Sequence, residues 1–173
     1  MNKWTEKEIQ FALTYSQRHS PFYIRSHICV TNVSWGADFN HELDLLSVSK
    51  AGYGTETEIK ISVSDLKRDL EKTHCHKDNR IRQLFFAGPA EMKEALLEYA
   101  PENAGVITVE RDIQQGYWTI PYYCYTIRKP KINQYAVKFT EKEIQKLLRL
   151  GNMRFWSLLR REFMHSKKKR EGK

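Results

Sequence analysis

Cysteine is scarce in this chain, and what there is comes unpaired. Cys29, Cys75 and Cys124 are odd in number and widely spaced, with no Cys-x-x-Cys pair among them. That excludes a disulfide framework and points to reduced thiols. Long apolar runs are missing too. Nothing approaches the ~20 consecutive apolar residues that span a bilayer, so a membrane partner is not expected. Residues 1–8 (Met-Asn-Lys-Trp-Thr-Glu-Lys-Glu) are polar and charged, without an apolar signal core. A cytoplasmic protein is the expectation. Tandem repeats are absent, and the basic tail is the sole low-complexity stretch.

What is present describes an ordinary globular chain. With 173 residues, 40% hydrophobic and 29% charged, it can bury a core without staples. Its charge is unevenly distributed. Residues 1–126 carry 14 Lys and Arg against 17 Asp and Glu, whereas residues 127–173 carry 15 against 4. The net charge of +8 therefore belongs to the C-terminal part. Such asymmetry suggests a polyanion partner, most simply nucleic acid.

Along the chain, Thr5 and Glu8 form a capping box at the start of a first helix, with Trp4 and Ile9 placed as its hydrophobic staple. The helix is expected to stop near Arg18, ahead of Pro21. The same Thr-Glu-Lys-Glu-Ile-Gln wording recurs at residues 140–145 and predicts a second helix start. Strands are expected over 22–34, 41–49 and 55–62, the last two joined by a turn containing Gly52 and Gly54. Ser64 is the expected N-cap of the next helix. Strands at 83–87 and 105–109 flank a helix over 90–99, and residues 117–127 read as a further strand. Residues 141–165 read as a C-terminal helix with Ile144, Leu147, Leu148, Phe155, Leu158 and Leu159 near one face, and Gly151-Asn152 as a potential break. Hairpin strands followed by βαβ crossings predict an α/β (α+β) fold with a mixed sheet flanked by helices. The expected organisation is a core over 1–127, a basic connector and helical extension over 128–165, and a disordered basic tail over 166–173.

The chemistry concentrates in the 41–60 hairpin. Asp44 interrupts an apolar stretch of the first strand, where a carboxylate needs a cation or a donor. Glu58 and Lys60, two apart, project to one face of the second. Two carboxylates sharing Mg²⁺ beside a lysine amine are the minimal set for phosphodiester hydrolysis. Asp44 and Glu58 are then metal ligands, with the backbone carbonyl of Ile59 as a third. Lys60 orients or deprotonates water, or neutralises the phosphate. Glu42, on the strand face of Asp44, is a candidate to bind a second metal or a water. Glu-x-Lys alone is a frequent pattern, most often a solvated ion pair.

In that setting the chain resembles the PD-(D/E)XK nuclease superfamily, which has the restriction-endonuclease-like fold. The order helix, strand, strand with Asp44, hairpin, Glu58-x-Lys60 strand, helix, strand carries the resemblance. More narrowly, residues 42–48 (Glu-Leu-Asp-Leu-Leu-Ser-Val), 58–69, 84–89 (Leu-Phe-Phe-Ala-Gly-Pro) and 104–109 are similar to the MmcB-like DNA-repair branch and to related phage nuclease-like proteins. The similarity covers about 40–155. It implies Mg²⁺ or Mn²⁺, a nucleic-acid substrate (DNA, with RNA not set aside), and Asp44, Glu58 and Lys60 at the signature positions. Leu43 stands where the family has its proline. Many relatives add a first-helix glutamate, for which Glu8 or Glu6 is the candidate, although Glu8 already has its capping role. The activity so implied is metal-dependent DNA hydrolysis in repair, recombination or phage DNA processing. The alternative is a non-catalytic nucleic-acid-binding or adaptor protein that retains the fold.

Other features carry weaker expectations. Lys67, Arg68, Arg82, Arg149 and Lys168 are candidate phosphate contacts. His74-Cys75-His76 lacks the paired clusters of a zinc site and is read as a polar helix exit. Tyr117, Trp118, Tyr122, Tyr123 and Tyr125 are expected to pack rather than stack on bases. The apolar face of the C-terminal helix is expected to meet the domain, a second copy in a homodimer, or a protein partner.

Overall fold

A computed structural model describes residues 3–15, 20–33, 39, 41–70, 78–111 and 122–171. Helix α1 (Glu6–Tyr15) opens on the expected capping box: the Thr5 N–H donates to Glu8 Oε2 at 2.9 Å and the Glu8 N–H to Thr5 Oγ1 at 3.3 Å. Strands β1 (His27–Val33), β2 (Leu43–Ser49) and β3 (Gly54–Ile59) come next, then α2 (Val63–Leu70) and β4 (Ile81–Pro89). A short 3₁₀ turn, Ala90–Met92, runs into α3 (Lys93–Tyr99), and β5 (Gly105–Arg111), β6 (Tyr122–Arg128) and α4 (Glu141–Glu171) complete the chain. Its start repeats the capping solution, with the Thr140 N–H on Glu143 Oε2 at 2.7 Å and the Glu143 N–H on Thr140 Oγ1 at 3.3 Å.

Among the described residues six strands lie in sequence order in one sheet. Hairpin-joined neighbours β1–β2 and β2–β3 are antiparallel, as is β5–β6. The pairs β3–β4 and β4–β5, joined through α2 and α3, are parallel. This is the expected mixed sheet flanked by helices. One face is covered by α1, whose Ile9, Ala12 and Leu13 pack with Leu45, Ile59, Phe85, Ala87, Ile107 and Val109. The opposite face has two separate apolar clusters. Leu43, Leu46, Val48, Phe139, Leu147 and Leu150 form one, and Leu66, Leu84, Phe86, Leu96 and Val106 the other. Strand β3 runs between them.

Several boundaries differ from expectation for local reasons. Strand β3 stops at Ile59, and the N-cap of α2 is Ser62, whose Oγ accepts from the Asp65 N–H at 3.2 Å. Ser64 lies inside the helix it was expected to cap. Helix α4 is continuous through Gly151 and through residues 166–171 of the supposedly disordered tail. Its Lys, Arg, Glu and Leu content propagates a helix once the Thr140 box has nucleated it. Ile144, Leu147 and Leu150 pack on the domain, but Leu148, Phe155, Leu158 and Leu159 are exposed, so the anticipated apolar face is only partly used.

Gly88 sets the spacing of the two central strands. A Cβ there would lie 2.6 Å from the Lys60 carbonyl oxygen, a backbone atom with nowhere to go. Glycine thus lets β4 approach the end of β3, where the Lys60 N–H donates to the Ala87 carbonyl at 2.9 Å. Gly88→Ala should lower unfolding free energy by about 1–3 kcal/mol, measured by urea denaturation. A variant as stable as wild type would show that the contact is slack.

Candidate metal centre

The β2–β3 ladder runs from Val48↔Gly54, beside a turn in which Gly52 takes φ +85°, to Leu45↔Thr57 and ends there. Beyond that point a side chain replaces the ladder. Asp44 Oδ2 accepts the Ile59 N–H at 2.7 Å, and the Asp44 carbonyl accepts Gln10 Nε2 at 3.0 Å. On its other edge β3 stays paired with β4 as far as Ile59↔Ala87. A strand residue directs its N–H and C=O toward the same neighbour, so the Ile59 carbonyl also faces the opened β2 side.

Alternation puts Glu56, Glu58 and Lys60 on one face of β3, and all three are buried, with 0%, 5% and 4% exposure. Register sets Glu56 between Leu46 and Leu84, and Glu58 beside Phe86. A row of ionisable groups thus separates the two apolar clusters, where unpaired charge is costly. Lys60 Nζ donates to Glu58 Oε2 at 2.9 Å and lies 6.0 Å from the Phe86 ring centre. Glu58 Oε1 is buried without a hydrogen-bond partner. His41 Nε2 lies 2.8 Å from Glu56 Oε1.

Asp44 is half-buried, and its carboxyl is pushed up from an ordinary 3.8 to about 7. Burial is the main cause and repulsion from Glu58 the second; the Ile59 N–H and Lys60 oppose them, and Glu6 adds further repulsion. Such a group waits for a proton or a cation.

Of the two first-helix glutamates, Glu6 is the one whose charge acts on Asp44. Glu8 is engaged by Thr5, by Arg111 at 3.0 Å and by Tyr122 at 3.2 Å; although burial alone would raise it, the Thr5 and Arg111 bonds and the Arg111 charge hold its carboxyl below the usual range. Glu6 Oε1 accepts from Gln10 Nε2 at 2.7 Å and Asn32 Nδ2 at 2.9 Å, within reach of Asp44's field. Asn32 holds φ +49°, a left-handed conformation that asparagine tolerates. Glu42 is exposed ahead of β2, near the Arg154 charge, and does not join the buried row.

The remaining sequence candidates scatter. Lys67, on α2 just past the site, lies 4.9 Å from the Tyr99 ring, and Arg68 pairs with Asp65 at 2.9 Å on the surface. Arg82 stacks on Tyr53 at 4.1 Å and belongs to the start of β4, level with Gly54 and Thr55 and away from Lys60. Arg149 is exposed on α4; Lys168 lies on its last turns. Tyr122 packs near Trp4 and Phe11 as expected, whereas Tyr125 is exposed. His74, Cys75, His76, Tyr117 and Trp118 fall outside the described residues. Burial pushes the Cys29 thiol up to about 11 and the Cys124 thiol to about 12, which makes both inert.

Sequence reasoning offered Glu6 only as an alternative to Glu8 and missed Gln10, Asn32, His41 and Glu56. Glu56 alone had a visible signal, since period-2 alternation through residues 56, 58 and 60 puts it on the Glu58 face.

No protein-family model and no curated protein matches the chain. Among solved structures, it is similar to a protein of unknown function from Silicibacter pomeroyi, at TM-score 0.57 and 13% identity, over 92% of this chain and 91% of that one. At that identity the likeness is one of fold. Among the described residues no helix is long and apolar enough to cross a membrane.

The donor set fits a hard divalent cation: carboxylates from two strands, one with a partnerless buried oxygen and one that resists ionising without a counter-charge. Stability should therefore depend on pH. The folded state holds the Asp44 proton more tightly than the unfolded chain, so its stabilising contribution is complete below about pH 3.8 and is lost as pH rises toward about 7. Asp44→Asn keeps an acceptor for the Ile59 N–H and removes the charge. In metal-free denaturation series, wild type should lose stability relative to this variant across that window. A constant difference would show that Asp44 ionises freely.

Proposed function

We propose that this protein is a metal-dependent nuclease of the PD-(D/E)XK type, hydrolysing DNA phosphodiester bonds. The order α1-β1-β2-β3-α2-β4 and the opening of the sheet between β2 and β3 support a restriction-endonuclease-like arrangement. The observation that carries the reading is the convergence of Asp44, Glu58 and Lys60 where the ladder ends, with Asp44 pushed up to about 7 by burial and by Glu58.

Asp44 and Glu58, with the Ile59 carbonyl, would hold Mg²⁺ or Mn²⁺, which supplies the charge that acidifies a bound water and neutralises the phosphate. The Ile59 N–H fixes one Asp44 oxygen and leaves the other to bind. Glu58 has one oxygen for Lys60 and one to spare. Lys60 Nζ, held in a dry setting by Glu58, is the group that orients water or meets phosphate charge. Gln10 and Asn32 keep Glu6 next to the Asp44 strand end.

A route for the polyanion adjoins this centre. A cavity of about 460 Å³ between α1, β1 and α4 is lined by Lys7, Gln10, Asn32, Arg154 and Arg161 among others, and among the described residues no carboxylate lines it. Arg154 also donates to the Asn32 carbonyl, tying α4 to the network behind Asp44. These cations replace Arg82 and Arg149 as the preferred phosphate contacts.

Two outcomes test the reading. With Mg²⁺ or Mn²⁺ and a panel of plasmid, linear, single-stranded and branched DNA plus RNA, Asp44→Asn and Lys60→Met should each lower cleavage on the order of 10²-fold or more. Glu8→Gln keeps an acceptor for the Thr5 N–H and gives up the Arg111 ion pair; it should cost no more than about 1 kcal/mol of stability and leave cleavage intact. Asp44→Asn matching wild type on every substrate would refute the nuclease and favour a non-catalytic binder. Separately, the Arg154→Ala/Arg161→Ala double variant should reduce the slope of log affinity against log salt by about 2. An unchanged slope would remove this groove from the DNA path.

A further inference from the structure

The Asp44 centre uses Glu58 and Lys60 but leaves the other half of the β3 row unexplained. Glu56 is fully buried, and its in-register neighbours are Leu46 and Leu84. A carboxylate with no solvent in such a cleft is retained against a substantial desolvation cost. Its partner comes from just ahead of β2, where His41, with a side chain only 9% exposed, brings Nε2 to 2.8 Å of Glu56 Oε1.

Glu58 completes a triad. One ligand atom each from His41, Glu56 and Glu58 lies within 4.8 Å of the others. Glu58 is itself 5% exposed, and its Oε1, the oxygen that Lys60 does not take, is buried without a hydrogen-bond partner. Imidazole nitrogen and carboxylate oxygen bind such metals at about 2.0–2.2 Å, which sets adjacent ligands roughly 3 Å apart. The His41–Glu56 separation already matches that spacing. Two carboxylates and an imidazole nitrogen together present the donors that a dication requires.

We propose that His41, Glu56 and Glu58 form a second cation site, sharing Glu58 with the Asp44 centre and taking a divalent transition metal that accepts a nitrogen ligand. Mg²⁺ and Ca²⁺ prefer all-oxygen shells, whereas Mn²⁺ and Zn²⁺ accept imidazole. The site goes beyond the nuclease reading, sharing with it only Glu58 as a ligand.

Mn²⁺ alone is the probe, applied to the full chain without nucleic acid. Titration followed by electron paramagnetic resonance counts bound ions, and electron spin-echo modulation detects a ¹⁴N nucleus coupled to any of them. Wild type should show one Mn²⁺ with imidazole ¹⁴N coupling. His41→Gln should abolish that coupling and weaken the binding step roughly tenfold or more. Glu56→Gln, nearly isosteric at the buried position, should weaken the same step, with thermal melting confirming that each variant folds. Asp44→Asn should leave the nitrogen-coupled ion in place. Nitrogen coupling absent from wild type, or persisting in His41→Gln, would overturn the second site, as would uptake of a single ion whose ligands are all oxygens and which is lost in Asp44→Asn. Nitrogen-coupled Mn²⁺ in a protein that cleaves nothing would uphold this site while the nuclease reading failed.

Discussion

The hydrogen bond from the Ile59 N–H to the Asp44 carboxylate is the interaction on which this site turns. It stands where the β2–β3 ladder ends and substitutes a side-chain acceptor for the backbone carbonyl that a continuing strand would have offered. One edge of β3 stays fixed to β4, and the other opens. The backbone requirement for a partner is met, and in meeting it the chain sets a carboxylate, a spare backbone carbonyl direction and the Glu58 and Lys60 side chains around one point. Gln10 from α1 donates to the Asp44 backbone carbonyl. The first helix is thereby locked to the place where the sheet parts.

The electrostatics are organised around that opening. Lining the middle strand with Glu56, Glu58 and Lys60 between two apolar clusters works against stability, because each ion loses its hydration. Compensation is local. Lys60 meets Glu58, His41 meets Glu56, and the repulsion left over appears at Asp44 as a carboxyl that resists ionisation. Destabilisation stored in this way is typical of places built to receive charge. It also separates the site from Arg80, whose ion pairs with Asp78 at 2.6 Å and Glu143 at 3.0 Å close on themselves and tie the β4 start to α4.

Much of the architecture was legible because its signals are local. The Thr-x-x-Glu boxes at residues 5 and 140, the apolar runs of β4 and β5 and the turn at Gly52 each act over a few residues, and all appear where expected. Asp44, Glu58 and Lys60 were legible through strand alternation and an acid within an apolar run. Gln10, Asn32 and His41 were not, because they reach the site through tertiary packing: α1 crossing the sheet, an asparagine with a left-handed backbone in β1, and a histidine just ahead of β2. The choice between Glu8 and Glu6 depended on Arg111 and Tyr122, more than 100 positions away. The exposed apolar side chains of α4 beyond Gly151, Phe155 and Trp156 among them, obey helical periodicity without a surface to meet within the described residues.

The central claim is that Asp44 and Glu58 are arranged for a divalent cation rather than for each other. Anomalous diffraction from crystals soaked in Mn²⁺ addresses it without any assumption about substrate. An anomalous peak is expected within about 2.3 Å of a carboxylate oxygen of each residue, with the Ile59 N–H still on Asp44. Density in which these carboxylates contact only protein and water at saturating Mn²⁺ would contradict it.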